Sequence, residues 1–341
     1  MASASPATVS SRTRSCRTRA SALGNAAAAR AHDGYAIKRP DDRISSTVRR
    51  LANIALLVVA VTASVNCWAQ SPATGTVGPA AANEVRFRSG DVTIAGIEVI
   101  PANIWAAAVL VQGSGRTERM TGFAKWLASQ GVAVLTYDKR GVGKSGGLYA
   151  GPEVGTNNVD PENLSLLAGD AAEAVRVLSR RIPKQRVPIG LIGFSQGGWI
   201  VPLTAIRSPA VKFIILWSGP VVTTREQLRF QFFTDGKADF WDHHSEAEVR
   251  EHVQSDADRF QFIDTDPAQA LRQLSMPGLW LYGVRDVNVP VQLSIERLRA
   301  LAATGKPFEY RLFPELGHQH SENDAFPAIV EWLKKTPGIK H

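Results

Sequence analysis

The sequence predicts an α/β protein, a doubly wound and mostly parallel sheet with a helical, cap-like insertion. Three observations predict it. Short, near-continuous apolar runs alternate with helix-period segments from residue 106 onward, the pattern of a sheet buried on both faces. A two-stranded hairpin precedes them. One connection, residues 221–275, is far longer than an ordinary crossover.

The elements follow in order. Glu84–Arg88 and Asp91–Ile100 alternate roughly in polarity around Ser89-Gly90, which reads as a β-hairpin. The strands expected next are Ala106–Gln112, Val132–Tyr137, Ile189–Gly193, Val211–Trp217, Gly278–Gly283 and Phe308–Phe313. Between them the helical period is explicit. Leu167, Ala171, Val175 and Leu178 share one face, as do Val291, Ile295, Leu298 and Ala302, and Ile329, Val330 and Leu333. Asp160-Pro161 reads as an N-cap followed by proline at the first helical position. The insertion carries Phe230, Phe232, Phe233, Phe240, Trp241, Phe260 and Phe262. It is expected to form a small helical cap over the strand ends, and its aromatic content hints at an apolar acyl group; the alternative is an elaborated crossover away from any substrate.

The stretch "YDKRGVGKSGG" (137–147) invites two chemical readings and satisfies neither. A phosphate-binding G-x-x-x-x-G-K-[ST] loop needs glycine where Asp138 stands, and a helix directly after the serine. Turn-rich sequence follows instead, up to about residue 161. The G-x-S-x-G match at Gly143, Ser145 and Gly147 fails as a nucleophile because no helix follows that serine either. A structural loop is expected here.

"IGLIGFSQGGWIVPLTAI" meets the conditions for a nucleophile: a buried strand, a G-x-S-x-G turn, and an apolar helix. Ser195 is the expected nucleophile. Gly193 and Gly197 are expected to be small because strand and helix approach too closely for side chains. A serine hydroxyl needs a base, and the base an orienting acid. In this fold type the order is serine, acid, histidine. Of the histidines downstream, only His318 and His320 lie between a predicted strand and the last helix, and His318 in "FPELGHQH" is favoured. In "LWLYGVRDVNVP", Asp286 lies just past a strand and is the expected acid; Asp324 reads better as a helix cap, and 218–222 contains no carboxylate. Two N–H donors are expected to hold an oxyanion: Gln196, and Ser114 in "VLVQGSGRTER", with Gly115 as the near alternative.

The chain has 341 residues and a formal charge of +8, but the charge is not spread evenly. Residues 1–69 carry 10 Lys/Arg against 3 Asp/Glu, which leaves 29 against 28 in residues 70–341. The body thus offers no basic surface in bulk for nucleic acid. Residues 1–47 are a basic, low-complexity extension. Residues 48–69 read as an export signal: Arg49-Arg50, an apolar stretch Leu51–Val65, then Cys67-Trp68-Ala69. The stretch is shorter than the roughly 20 residues of a membrane span. An exported protein, periplasmic or secreted, without a stable anchor after cleavage is expected, with an uncleaved anchor as the alternative. A signal opening at residue 48 also fits translation from Val48, with a long basic n-region or a transit-like segment as the alternative. Residues 70–83 read as a linker and 84–338 as the folded domain. Cys16 and Cys67 both lie in the removable part, so neither a cysteine nucleophile nor a disulfide is expected in the body.

Together, "QGSG", "YDKRGVGKSGG", "GLIGFSQGGWIVP", "YGVRDVNVP" and "LGHQH" resemble, in order, the α/β-hydrolase superfamily. The likeness is to bacterial serine hydrolases related to dienelactone hydrolases and prolyl-oligopeptidase-type catalytic domains, and it covers about residues 84–335. It implies an α/β-hydrolase fold, a Ser195–Asp286–His318 triad, and no cofactor. True dienelactone hydrolases carry cysteine at the elbow; Ser195 departs from that and points to carboxylic ester hydrolysis of a small-molecule substrate. Thioesterase, amidase or peptidase, and acyltransferase chemistry use the same triad, and a non-catalytic binding protein is the reading from another class. His244, Glu248 and His252 share a helical face at metal-ligand spacing, but exposed polar positions on an amphipathic helix explain them better, and no metal is expected.

Overall fold

The computed structural model describes residues 81–151, 158–182, 187–259, 261–319 and 325–339. The expected extension and export signal lie outside these residues, as do nearly all of the linker, Phe260, His320 and Asp324.

Eight strands form one sheet: β1 (Ala82–Ser89), β2 (Val92–Val99), β3 (Ala106–Val111), β4 (Val132–Tyr137), β5 (Ile189–Phe194), β6 (Val211–Trp217), β7 (Gly278–Gly283) and β8 (Phe308–Phe313). Their order is β1-β2-β4-β3-β5-β6-β7-β8. The β1–β2 and β2–β4 pairs are antiparallel and every other pair is parallel. The hairpin is as expected, though β1 starts two residues earlier than the alternation suggested. Ser89 pairs with Val92 across a turn in which Gly90 has φ +60°, a conformation glycine adopts without strain.

Nine helices complete the described residues: α1 (Thr121–Ser129), α2 (Pro161–Arg181), α3 (Gly197–Arg207), α4 (Thr224–Thr234), α5 (Phe240–His243), α6 (Glu246–Ser255), α7 (Pro267–Leu271), α8 (Val291–Ala303) and α9 (Ala325–Lys335). The strands feed two cores, one on each face. Ala107, Val109 and Val111 of β3, Leu191 of β5, and Trp280 and Tyr282 of β7 pack with α2, α3 and α8. The intervening residues Ala106, Ala108, Leu110, Ile192, Leu279 and Leu281 pack with α1 and α9. This is why the inner strands read as unbroken apolar runs: successive side chains enter opposite cores, and neither face meets water.

Two local expectations change. The sequence reading did not single out α1, although Phe123, Ala124, Leu127 and Ala128 are its buried face; nine residues give only two turns of periodicity. Asp160 does precede α2, with Pro161 in its first turn, but its side chain makes no capping hydrogen bond.

The insertion is helical, as expected. Phe230, Phe240, Val249 and Val253 form a small core of their own, with Phe233, Trp241, Val287 and Leu293 packed against it. Phe233 stacks on His252 at 3.7 Å, and Arg259 lies 4.4 Å over the Phe232 ring. Phe230 and Phe240 are fully buried in that core and stabilise the insertion itself. The last part of the insertion rejoins the main body: Leu271 and Leu274 belong to the core beneath α3 and α8.

Candidate active site

The site gathers where the strand order reverses. The chain passes from β3 to β4 on one side, then crosses to β5 on the other side of β3. Loops leaving the carboxyl ends of β3 and β5 therefore face each other across a crevice. Ser195 follows β5, residues 113–115 follow β3, Asp286 follows β7 and His318 follows β8.

Ser195 sits on a strained turn. Its φ of +50° is left-handed, a conformation that costs a residue bearing a Cβ of order 1–3 kcal/mol. The turn is over-determined: Ser195 N–H donates to the Trp217 carbonyl at 2.9 Å, and the Ser195 carbonyl accepts from Gly198 N–H at 2.8 Å. A Cβ at Gly193 would lie 2.6 Å from Val201 Cγ2 and 3.3 Å from Gly197 Cα, so that position admits only glycine. Gly197 is different. A Cβ there would approach no neighbour closer than 3.6 Å, an ordinary contact. The steric expectation for Gly197 is therefore corrected. The crowded position is its neighbour Gly198, where a Cβ would meet Pro220 at 2.6 Å.

The three separated side chains meet. Ser195 Oγ lies 3.0 Å from His318 Nε2, and His318 Nδ1 lies 2.9 and 3.1 Å from Asp286 Oδ2 and Oδ1. Asp286 is fully buried. Its Oδ1 also accepts from the N–H groups of Asn288 at 2.7 Å and Val289 at 2.9 Å, which hold the carboxylate toward the ring. The His318 loop is tied at two points: Arg285 N–H donates to the Leu316 carbonyl, and Ser218 Oγ donates to the His318 carbonyl, each at 2.9 Å. Ser218, just past β6, occupies the position where no carboxylate was found. Phe194 rests against the imidazole at 5.2 Å between ring centres.

The loop after β3 lies against Ser195. A Cβ at Gly113 would be 3.2 Å from Ser195 Cβ and 2.8 Å from the Phe194 ring, so backbone alone fits there. Ser114 is exposed beside it, and Gly115 has φ +90°. Neither the Ser114 nor the Gln196 N–H donates a hydrogen bond among the described residues, as donors reserved for a ligand would be.

Side chains that the sequence reading did not assign also support the site. From the insertion, Trp241 Nε1 donates to the Asp286 carbonyl at 2.9 Å and Thr234 Oγ1 to the Val287 carbonyl at 2.6 Å. Gln227 Nε2 donates to the Asn288 carbonyl, and Arg285 pairs with Asp242 at 2.7 Å. The insertion thus braces the loop that carries Asp286. No local pattern marks such contacts in the sequence. Of the trio at metal spacing, Glu248 caps α6 through Ser245, and His252 pairs with Asp256 at 2.9 Å.

The "YDKRGVGKSGG" loop is an internal scaffold. Ser145 Oγ donates to the Asp138 carbonyl at 2.7 Å and accepts from Ala95 N–H at 2.9 Å. Arg140 makes a two-pronged buried pair with Asp170, at 2.5 and 3.0 Å. Asp138 takes Arg119 Nε at 2.9 Å, Arg119 Nη2 at 2.7 Å and Lys144 N–H at 2.9 Å. Burial alone would raise the Asp138 carboxyl, but these donors prevail and bring it down to about 2. A carboxyl depressed in the folded state contributes stability that is full above its unfolded value and is lost as pH falls through the folded one. Asp138→Asn is therefore expected to lower the melting temperature at pH 7 by roughly 5 °C or more. That deficit shrinks as pH falls from about 4 to about 2. Thermal unfolding of both proteins across this range checks it, and a deficit independent of pH would reject the ion-pair account.

Comparison with known proteins agrees with this architecture. A family described as serine aminopeptidase, S33, matches residues 104–268. The esterase EstD of Thermotoga maritima is 26% identical over 279 residues, covering 73% of this chain and 64% of its own length. Among solved structures, an acylaminoacyl peptidase of Pyrococcus horikoshii superposes with a TM-score of 0.53 at 16% identity, over 76% of this chain and 42% of the peptidase. A dienelactone hydrolase of Anabaena variabilis does so with 0.50 at 18%, over 76% of this chain and 97% of the other. This chain has the α/β-hydrolase fold. The chain spans less than two thirds of the length of the esterase and of the acylaminoacyl peptidase. The two superpositions speak to the fold. The elbow at Ser195 lies inside the matched 104–268 segment, whereas Asp286 and His318 lie beyond it.

Proposed function

We propose that this α/β-hydrolase cleaves carboxylic esters through a covalent acyl-enzyme on Ser195. The observation that carries the proposal is the unbroken chain of hydrogen bonds from Ser195 Oγ through both nitrogens of His318 to a fully buried Asp286. In this mechanism His318 Nε2 accepts the Ser195 proton as Oγ attacks the acyl carbonyl. Asp286 holds the Nδ1–H tautomer and stabilises the imidazolium. The N–H groups of Ser114 and Gln196 receive the oxyanion. The imidazolium gives its proton to the departing alcohol. Water then attacks the acyl-enzyme with His318 as base, which releases the acid and restores Ser195.

The esterase similarity supports an ester as the substrate. Amide cleavage is the second reading, favoured by the aminopeptidase family match. A fluorophosphonate is expected to label the protein once, at Ser195, as mapped by mass spectrometry. Rates on matched p-nitrophenyl esters, thioesters and anilides are expected to fall in that order. Absence of labelling rejects the serine mechanism, and faster anilide than ester turnover transfers the assignment to peptidase chemistry.

A further inference from the structure

We propose that Lys139 is a positioning residue that fixes both halves of the oxyanion site; this rests on the serine-hydrolase mechanism above. Lysine is among the residues least often buried, yet Lys139 is only 3% exposed. It leaves the end of β4, and β4 lies beside β3 in the sheet. Its Nζ donates to the Gly113 carbonyl and, at 3.2 Å, to Gln196 Oε1. Those partners belong to the two segments expected to supply the oxyanion donors.

The first contact acts through the peptide plane. The Gly113 carbonyl and the Ser114 N–H are opposite ends of one planar trans unit, so they point in opposite directions. A donor held on the carbonyl fixes the direction of the N–H. It also polarises that N–H, because successive hydrogen bonds strengthen one another in a low-dielectric interior. Gly113 needs such a restraint: as glycine it has the widest backbone freedom of any residue, and the close approach to Ser195 forbids a replacement.

The second contact fixes the other donor. The Gln196 side chain is held at both ends, with Oε1 accepting from Lys139 and Nε2 donating to the Asn158 carbonyl. The residue is 2% exposed, and its own N–H is the second donor. One amino group thus sets the spacing between donors that come from different strands. An aliphatic side chain of the same length would fill the volume without desolvating an amine; what it would lose is the register of the two N–H groups.

The test compares wild type with Lys139→Met. It uses kcat and KM on a short p-nitrophenyl ester, and the affinity for a trifluoromethyl ketone, which adds to Ser195 as a tetrahedral oxyanion. Loss of a whole donor costs on the order of 10²–10³ in kcat, so misaligned donors are expected to cost about 10- to 100-fold. KM should stay within about threefold, since the interaction strengthens only when the oxyanion forms. Ketone affinity should fall by the same factor as kcat. Should Lys139→Met not fold, Gln196→Leu removes one acceptor of the same amine and is expected to show a smaller loss of both kcat and ketone affinity. Wild-type kcat and ketone affinity in the folded variant, or a loss carried by KM alone, would overturn the inference. If wild type itself takes no fluorophosphonate at Ser195, the underlying mechanism fails instead.

Discussion

Replacing Ser195 by alanine is expected to lower kcat for the proposed ester hydrolysis by on the order of 10⁵–10⁶, leaving only what binding and the oxyanion donors supply. The melting temperature should move little. The Ser195 hydroxyl has one hydrogen-bond partner among the described residues, His318 Nε2, on a side chain that keeps 14% of its exposure. Ser145→Ala is the informative contrast, because it removes the hydroxyl of the other G-x-S-x-G match. That hydroxyl is buried and holds both the Asp138 carbonyl and the Ala95 N–H. Two buried groups are left without partners, at about 1–3 kcal/mol each. Ser145→Ala should therefore unfold several degrees earlier while retaining most of its turnover number. Kinetics and thermal unfolding of the two variants, side by side, separate nucleophile from scaffold. More than about 1% of wild-type activity in Ser195→Ala would contradict the mechanism, whose nucleophile accounts for far more than a hundredfold.

Asp286→Asn is expected to lower kcat by about 10⁴ with little change in KM. The two carboxylate oxygens differ in their partners. Oδ1 accepts from the N–H groups of Asn288 and Val289 and lies 3.1 Å from His318 Nδ1, whereas the partner of Oδ2 among the described residues is His318 Nδ1, at 2.9 Å. In the amide, oxygen must remain at the first position to keep those two donors satisfied. The NH₂ group then faces Nδ1. Two donors cannot share that contact, so the ring turns to the tautomer with its proton on Nε2, and that nitrogen no longer accepts from Ser195. The loop itself should keep its shape, since the Trp241 and Arg285 contacts use other atoms. Fluorophosphonate labelling of Asp286→Asn should slow in proportion to kcat, while its unfolding temperature stays near wild type. Rapid labelling at an unchanged rate would show that the carboxylate does not control the base.

Legibility in the sequence followed the range of each interaction. The elbow was legible because its constraints lie within five residues: Ser195 takes a left-handed conformation, and Gly193 faces Val201 with no room for a Cβ. Two faces of apolar residues on β3, β5, β6 and β7 were legible because strand geometry alternates side chains regardless of what covers them. Gly197 was misjudged because the spacing of a motif does not say which glycine meets a neighbour; the crowding falls on Gly198, from Pro220, a residue twenty-two positions away. The aromatics of the insertion pointed to a substrate by composition, yet Phe230 and Phe240 serve its own core. Lys139 stood in a stretch singled out from the start, but a lysine in a loop is ordinarily solvated. Nothing local discloses that its amine lies under Gly113 and Gln196.

The sequence by itself determined the eight strands, the strained serine turn, and the order along the chain of Ser195, Asp286 and His318. These rest on backbone sterics and on apolar periodicity, which act over a few residues. Only the tertiary structure decided that Ser195 and His318, 123 residues apart, close to 3.0 Å, and that buried Asp286 and Lys139 find partners. Those outcomes depend on the order of strands in the sheet, which places the carboxyl ends of distant segments side by side. A buried polar group takes its role from the atoms brought against it, and no stretch of chain encodes them alone.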